Sequence, residues 1–271
     1  MAASAQVGLS SIATETLWMA LGLERRDETA AQQRPGDVDL RALLGVEEWV
    51  LDCVFVAIVL AWYAIGSLLF KTEKQRAYLI TFLNCCVAVV VGAHTMHNVV
   101  RYDMSINPMS LTETAVTRIE VRFFRVVQIL DVAVGVLCYP RQLHLLTTWV
   151  HHTCYTLLCY WMLRERVSIL FSVCLLEELP TLIMAMGVIH KPLRSDMGFG
   201  ISYGMLRVAL HTLLAYNAVT YSGGDERIHV IRFNFALTWC LHVNWFVAWV
   251  RQQLRLRREA SSRAKGFKVK Q

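Results

Sequence analysis

Charge is the scarcest feature of this chain. Asp, Glu, Lys and Arg make up 18% of its 271 residues, against about 25% in an ordinary soluble domain. Hydrophobic residues make up 55%, and the mean hydropathy is +0.41. The apolar residues arrive in long blocks separated by short basic connectors, each block near the roughly 20 residues a helix needs to cross a bilayer. Period-two alternation is absent, which excludes a membrane β-barrel, and only helices then satisfy their backbone in lipid. The eight cysteines form no CxxC pair and no zinc-like spacing, so they read as small apolar packing residues. Nine histidines are scattered without an HxxxH box, which argues against histidine-box di-iron chemistry and leaves no metal or cofactor expected. There is no internal repeat, no asparagine glycosylation sequon, and no basic start followed by an apolar core of the kind that marks a cleavable signal peptide.

What is present reads as an all-α, multi-pass helical bundle. Seven spans are expected at 49–70, 77–98, 123–139, 142–163, 167–189, 197–221 and 230–250. The third is short and holds Arg125 and Asp131. Residues 1–48 are polar and mixed in charge and are expected to form a flexible segment, with "QQRPGD" (32–37) as a loop, and the first span would serve as the insertion signal. The C-terminal stretch "RQQLRLRREASSRAKGFKVKQ" carries eight basic residues and one acidic one. Beside a last span this is a positive-inside signal and a patch for anionic lipid rather than for nucleic acid. It places the C-terminus and the "KTEKQR" connector (71–76) in the cytoplasm. Gly200 and Gly204, four apart in "GFGISYG", either let two helices approach closely or are merely tolerated.

Polar residues gather at the centres of the apolar blocks. Asp131 lies at the middle of the third span, the pair His151 and His152 at the middle of the fourth, and Glu177 and Glu178 at the middle of the fifth. Arg207 and His211 flank the centre of the sixth, and His242 and Asn244 lie near that of the seventh. At 1.5 Å per residue these groups fall within roughly 6 Å of one plane. A central charge costs about 2.5–3.5 kcal/mol on insertion scales, so such groups face a bundle interior and pair with one another. Gln128 and Asp131, and Arg207 and His211, share helix faces. Adjacent His151 and His152 point about 100° apart, so one would enter the cavity and the other bond a neighbouring helix. Arg207 is the expected balance for Asp131 and Glu178. Both His211 and His242 also read as plain interhelical hydrogen-bond donors. His94 and His97, near a helix end, carry no functional reading. Pro180 interrupts the fifth helix just past Glu177.

Two chemistries suit such a layer. In an acyltransferase, a neutral histidine oriented by Asp131 or Glu178 would act as general base or nucleophile. In a lipid- or cargo-binding protein, the layer would hold a polar headgroup without turnover. A proton-coupled transporter fits the carboxylate–histidine layer but lacks repeated halves.

The order of motifs resembles a known family. An Asp-bearing helix ("VVQILDVAVGVLCY"), then "HH" in the next helix, then "EELPT", then an Arg-bearing helix ("GMLRVALHTLL") is similar to the TLC (TRAM–LAG1–CLN8) domain over about residues 75–255, with 49–70 as an added helix and 256–271 as a basic tail. The resemblance implies an endoplasmic-reticulum bundle whose cavity handles membrane lipids. Ceramide synthases of that family join an acyl group from acyl-CoA to a sphingoid base, and their HH pair is followed by a His-Asp motif. Here that window reads "LFSVCLLEELPTL" (170–182), without His-Asp, which is closer to the CLN8-like and TLC-domain-containing branches. The resemblance therefore implies lipid homeostasis, leaves catalysis open with His151, His152 and Asp131 as its bearers, and leaves acyl-CoA as a possible substrate and a homo-oligomer as a possible assembly.

Overall fold

The apolar blocks become helices, and the short polar connectors become their turns. In the computed structural model, which describes residues 40–100 and 113–268, every regular element is helical and no strand occurs among the described residues. The elements are α1 (Leu40–Leu44), α2 (Glu48–Leu69), α3 (Glu73–Val100), α4 (Ala115–Cys138), α5 (His151–Glu165), α6 (Ser168–Cys174), α7 (Leu179–Ile189), α8 (Asp196–Ser202), α9 (His211–Thr220) and α10 (Arg227–Lys268). Short non-α segments join some of them into longer rods: a π-turn Leu145–Val150 before α5, a 3-10 turn Leu175–Glu178 between α6 and α7, and a π-turn Tyr203–Leu210 between α8 and α9. The loop expected at 32–37 lies outside the described residues.

Among the described residues three helical stretches are long and apolar enough to cross a membrane, Glu48–Leu69, Glu73–His97 and Ser168–Ile189. Their outward faces carry large apolar side chains; Leu68 is 83% exposed, and Leu137 on α4 is 82% exposed. Successive rods alternate in direction. At one end Arg118 on α4 reaches Glu48 at the start of α2 (2.8 Å) and the carbonyl of Leu163 at the end of α5 (3.0 Å). At that same end Arg227, opening α10, donates to the carbonyl of Glu165 at 2.7 Å. At the opposite end Gln75 of α3 donates to the carbonyl of Ile189 at 2.9 Å, and the backbone N–H of Arg141 reaches Glu73 at 3.2 Å.

The third rod is longer than the sequence pattern indicated. It begins at Ala115 rather than 123, behind a capping box in which Thr114 and Thr117 satisfy each other's backbone N–H groups. The charges that hide its first turns are neutralised across the bundle. Arg122 pairs with Glu48 and, at 2.8 Å, with Asp52; Arg125 reaches the same Asp52 oxygen at 2.7 Å; Arg118 also meets Glu113 at 3.3 Å. Hydropathy treats each of these groups as a lone charge, whereas a paired charge can sit inside a helical bundle.

The last rod is the longest: α10 runs unbroken for 42 residues, about 63 Å at 1.5 Å per residue, so the basic stretch after 250 continues the helix of the expected last span. Its close contact with α8 and the π-turn that follows depends on the glycines: a Cβ at Gly200 would lie 2.0 Å from the Trp249 ring, and one at Gly204 would lie 3.1 Å from Phe246. The close-approach reading of this pair is the one the fold realises. An apolar core joins α2, α3 and α4 through Val59, Tyr63, Leu79, Ile80, Phe123, Val127 and Tyr139.

Candidate functional site

The three non-α turns stand beside the polar residues. His151 and His152 open α5 immediately after one π-turn; its last N–H partner is the His151 amide, which bonds the carbonyl of Leu146, five residues back. Arg207 lies inside the other π-turn, and His211 follows it. Glu177 and Glu178 occupy the 3-10 turn, just before Pro180 in the first turn of α7. Such interruptions recur where a side chain must be re-aimed. Here the reason is local as well. Pro180 has no N–H, so the Glu177 carbonyl loses its i+3 partner, and Arg207 Nε donates to it instead at 2.7 Å.

The layer resolves into two adjoining groups. In the first, His152 Nε2 lies 3.3 Å from Asp131 Oδ2. Asp131 is buried, and its other carboxylate oxygen accepts from the Tyr139 hydroxyl at 2.5 Å. His152 Nδ1 is buried without a hydrogen-bond partner; the Thr148 carbonyl lies near it but outside hydrogen-bonding geometry. His151 packs its ring against Tyr155, with centroids 4.6 Å apart, and feels the charges of Glu178 and Arg207. Of the histidine pair, His152 bonds the neighbouring helix, and His151 faces the second group.

In that second group, Arg207 donates to Glu178 Oε1 at 3.1 Å and to Thr181 Oγ1 at 2.7 Å, with its guanidinium 5.5 Å from the Tyr203 ring centroid. The other Glu178 oxygen receives the Cys85 thiol at 3.5 Å. Glu177 Oε1 lies 2.8 Å from His211 Nδ1, and Glu177 Oε2 lies 3.6 Å from His242 Nδ1. His211 Nε2 faces the carbonyl of Phe235 at 3.1 Å, and His242 Nδ1 faces the carbonyl of Arg207 at 3.0 Å. A carbonyl only accepts, so both of those ring nitrogens carry hydrogen. Once His211 Nε2 holds a proton, the Nδ1–Oε1 contact needs one more, on either the imidazole or the carboxyl. Glu177, His211 and His242 are all buried.

One expectation is corrected. Arg207 was expected to balance both Asp131 and Glu178; it pairs with Glu178, while Asp131 is paired with His152 and Tyr139. The helix order explains this, since α4 packs directly on α5 and Arg207 faces the 3-10 turn. Asn244, at the same level, lies on the exposed face of α10. Sequence reasoning also missed Tyr139, Thr181 and Cys85. Thr181 sat in the quoted "EELPT" motif, but nothing in the sequence marks Tyr139 or Cys85 as partners of Asp131 and Glu178. No protein-family model, curated protein or solved structure matches this chain.

Proposed function

We propose that the chain is a seven-span integral membrane protein of lipid homeostasis, TLC-like in the order of its helices, with its basic C-terminus on the cytoplasmic side of the endoplasmic reticulum. Its mid-membrane polar layer takes the polar end of an acyl lipid. The observation that carries this reading is His152: one ring nitrogen is held by Asp131, and the other is buried with no hydrogen bond of its own. A carboxylate that fixes one nitrogen of an imidazole orients the other as a proton acceptor.

In the reaction this arrangement suits, His152 Nδ1 takes the proton of an amine or hydroxyl acceptor as that acceptor attacks the thioester carbonyl of an acyl-CoA. The carbon–sulfur bond breaks, and the CoA thiolate recovers the proton from His152. Tyr139 holds Asp131 in place, and His151 lines the approach on the side of Arg207. The second reading, lipid or cargo binding without turnover, is favoured by one feature: beyond His151, Glu178 is already engaged by Arg207 and Glu177 by His211.

The test is acyl transfer by the purified protein, given long-chain acyl-CoA and a panel of amine and lysolipid acceptors, followed by mass spectrometry. A product that disappears in His152→Ala, with the fold retained, supports the catalytic reading. No product, with a lipid that co-purifies with the wild type and is lost from His151→Ala/His152→Ala, supports binding. Lipid binding and fold both unchanged in the double variant overturn the site.

A further inference from the structure

We propose that Glu177, His211 and His242 form a binding site for one divalent first-row transition-metal ion, a centre distinct from the His152–Asp131 pair and independent of the acyl-lipid reading. The three residues come from the 3-10 turn, from the start of α9 and from α10, so no sequence spacing announces them. Each offers one ligand atom, these atoms lie within 4.8 Å of one another, and all three residues are buried. Two histidines and one carboxylate, with a fourth position left open, is a donor set that takes zinc in catalytic sites and iron(II) in non-haem sites.

The spacing of the ligand atoms fits with little movement, at the cost of one hydrogen bond. At metal–ligand bonds near 2.0–2.1 Å, tetrahedral ligand atoms stand roughly 3.4 Å apart. Glu177 Oε2 and His242 Nδ1 are 3.6 Å apart, and Glu177 Oε1 and His211 Nδ1 are 2.8 Å apart; to ligate, His242 Nδ1 gives up the hydrogen it donates to the Arg207 carbonyl, and the imidazole carries its proton on Nε2 instead. The second pair needs to open by about half an ångström, with the metal replacing its shared proton. The outer contact of His211 is already that of a metal ligand. His211 donates from Nε2 to the Phe235 carbonyl, which fixes the tautomer that turns the Nδ1 lone pair toward Glu177. The His211 ring also packs on Phe235 at 5.2 Å and on His242 at 5.0 Å, so neither imidazole is free to swing away.

The charge nearby decides what the open position accepts. Arg207 is a fixed positive charge, but it is engaged by Glu178 at 3.1 Å, by Thr181 at 2.7 Å and by the Glu177 carbonyl. Glu177, Glu178 and Arg207 together sum to one negative charge, so a bound dication leaves one positive charge inside the bundle. An anionic oxygen ligand, such as hydroxide or a carboxylate, cancels it at the fourth position. Without the metal, the proton between His211 and Glu177 does that balancing instead.

The test uses the untagged full-length protein in detergent, stripped with chelator, loaded with zinc(II) or cobalt(II) and freed of excess by gel filtration. Elemental analysis is expected to find one equivalent of metal per chain, and the cobalt form is expected to show the intense visible bands of a four- or five-coordinate site. Both signals should fall at least tenfold in His242→Asn and in Glu177→Gln, and persist in His94→Ala/His97→Ala, which removes the exposed HxxH pair. His242→Asn keeps a side chain of similar polarity, and its thermal unfolding is read alongside, so loss of metal is separated from loss of fold. No retained metal in the wild type, or equal retention by a folded His242→Asn, overturns the proposal. Neither result depends on whether acyl transfer is detected.

Discussion

Gly92 lies directly against the backbone of Leu176: a Cβ built on it would sit 2.6 Å from the Leu176 nitrogen and 2.9 Å from the Leu175 carbonyl carbon. The atoms in the way belong to backbone, so no rotamer change relieves the clash. α3 thus braces the 3-10 turn that carries Glu177 and Glu178, one helix fixing the height of the acidic pair. Gly92→Ala is expected to destabilise the protein by about 1–3 kcal/mol, the usual cost of overpacking. Gly224, where a Cβ meets nothing within 4 Å, is the matched control and should tolerate Ala. Thermal unfolding of both variants in detergent checks this, and equal melting points would show that the close approach is not used.

Arg207 holds the second polar group together. Its side chain is 13% exposed and that of Glu178 is 21% exposed. Removing one partner of such a pair leaves the other charge uncompensated, at a cost of about 3–5 kcal/mol. Arg207→Met should therefore be severely destabilised, and adding Glu178→Gln should recover part of the loss. A double variant no better than Arg207→Met alone would assign the arginine's effect to its bonds with Thr181 and the Glu177 carbonyl.

The end of the bundle that holds Glu48 is an ion-pair network, and its members are mostly covered: Arg122 is 7% exposed and Asp52 is 25% exposed. The Arg194–Asp196 pair at the other end is 65% and 51% exposed. Asp52→Asn, which removes the carboxylate shared by Arg122 and Arg125 and leaves Arg122 to Glu48 alone, should cost clearly more than Asp196→Asn, for which roughly 0–1 kcal/mol is expected. Added salt should weaken the exposed pair first. Unfolding midpoints at low and high salt give the comparison.

If His152 is a general base oriented by Asp131, Asp131→Asn should lower acyl transfer by about 10²–10⁴-fold. Tyr139→Phe should reduce it less, because it removes a support of Asp131 and not the contact with His152. A Tyr139→Phe variant as inactive as Asp131→Asn would give the hydroxyl a direct part in the chemistry.

If the chain has the seven spans and cytoplasmic basic end proposed above, its termini lie on opposite sides of the membrane. An epitope at the C-terminus should be labelled after selective permeabilisation of the plasma membrane. One at the N-terminus should need full detergent permeabilisation. Labelling of both under the mild condition would require an even number of spans.

Some of this architecture was legible in the sequence. Scarce charge and long apolar blocks specify helices, because in lipid each backbone group must be satisfied within its own segment, and those blocks did become the helical rods. The placement of Asp131, the histidine pair, Glu177, Glu178, Arg207, His211 and His242 at the block centres followed from counting residues along the chain. The start of α4 at Ala115 did not, since neutralisation of Arg118, Arg122 and Arg125 depends on Glu48 and Asp52, some 70 positions away.

Partner choice belongs to the tertiary structure. Sequence gives the depth of a side chain in a helix, but not the rotation and contact order of the rods, and those decide that Asp131 meets His152 and Tyr139 while Arg207 meets Glu178. The π-turns before His151 and around Arg207 contribute for the same reason: each shifts the helical phase of the residues that follow, and a pattern read at 3.6 residues per turn does not contain that shift. Depth along each helix was set by local sequence; the pairing of charges was set by how the helices pack.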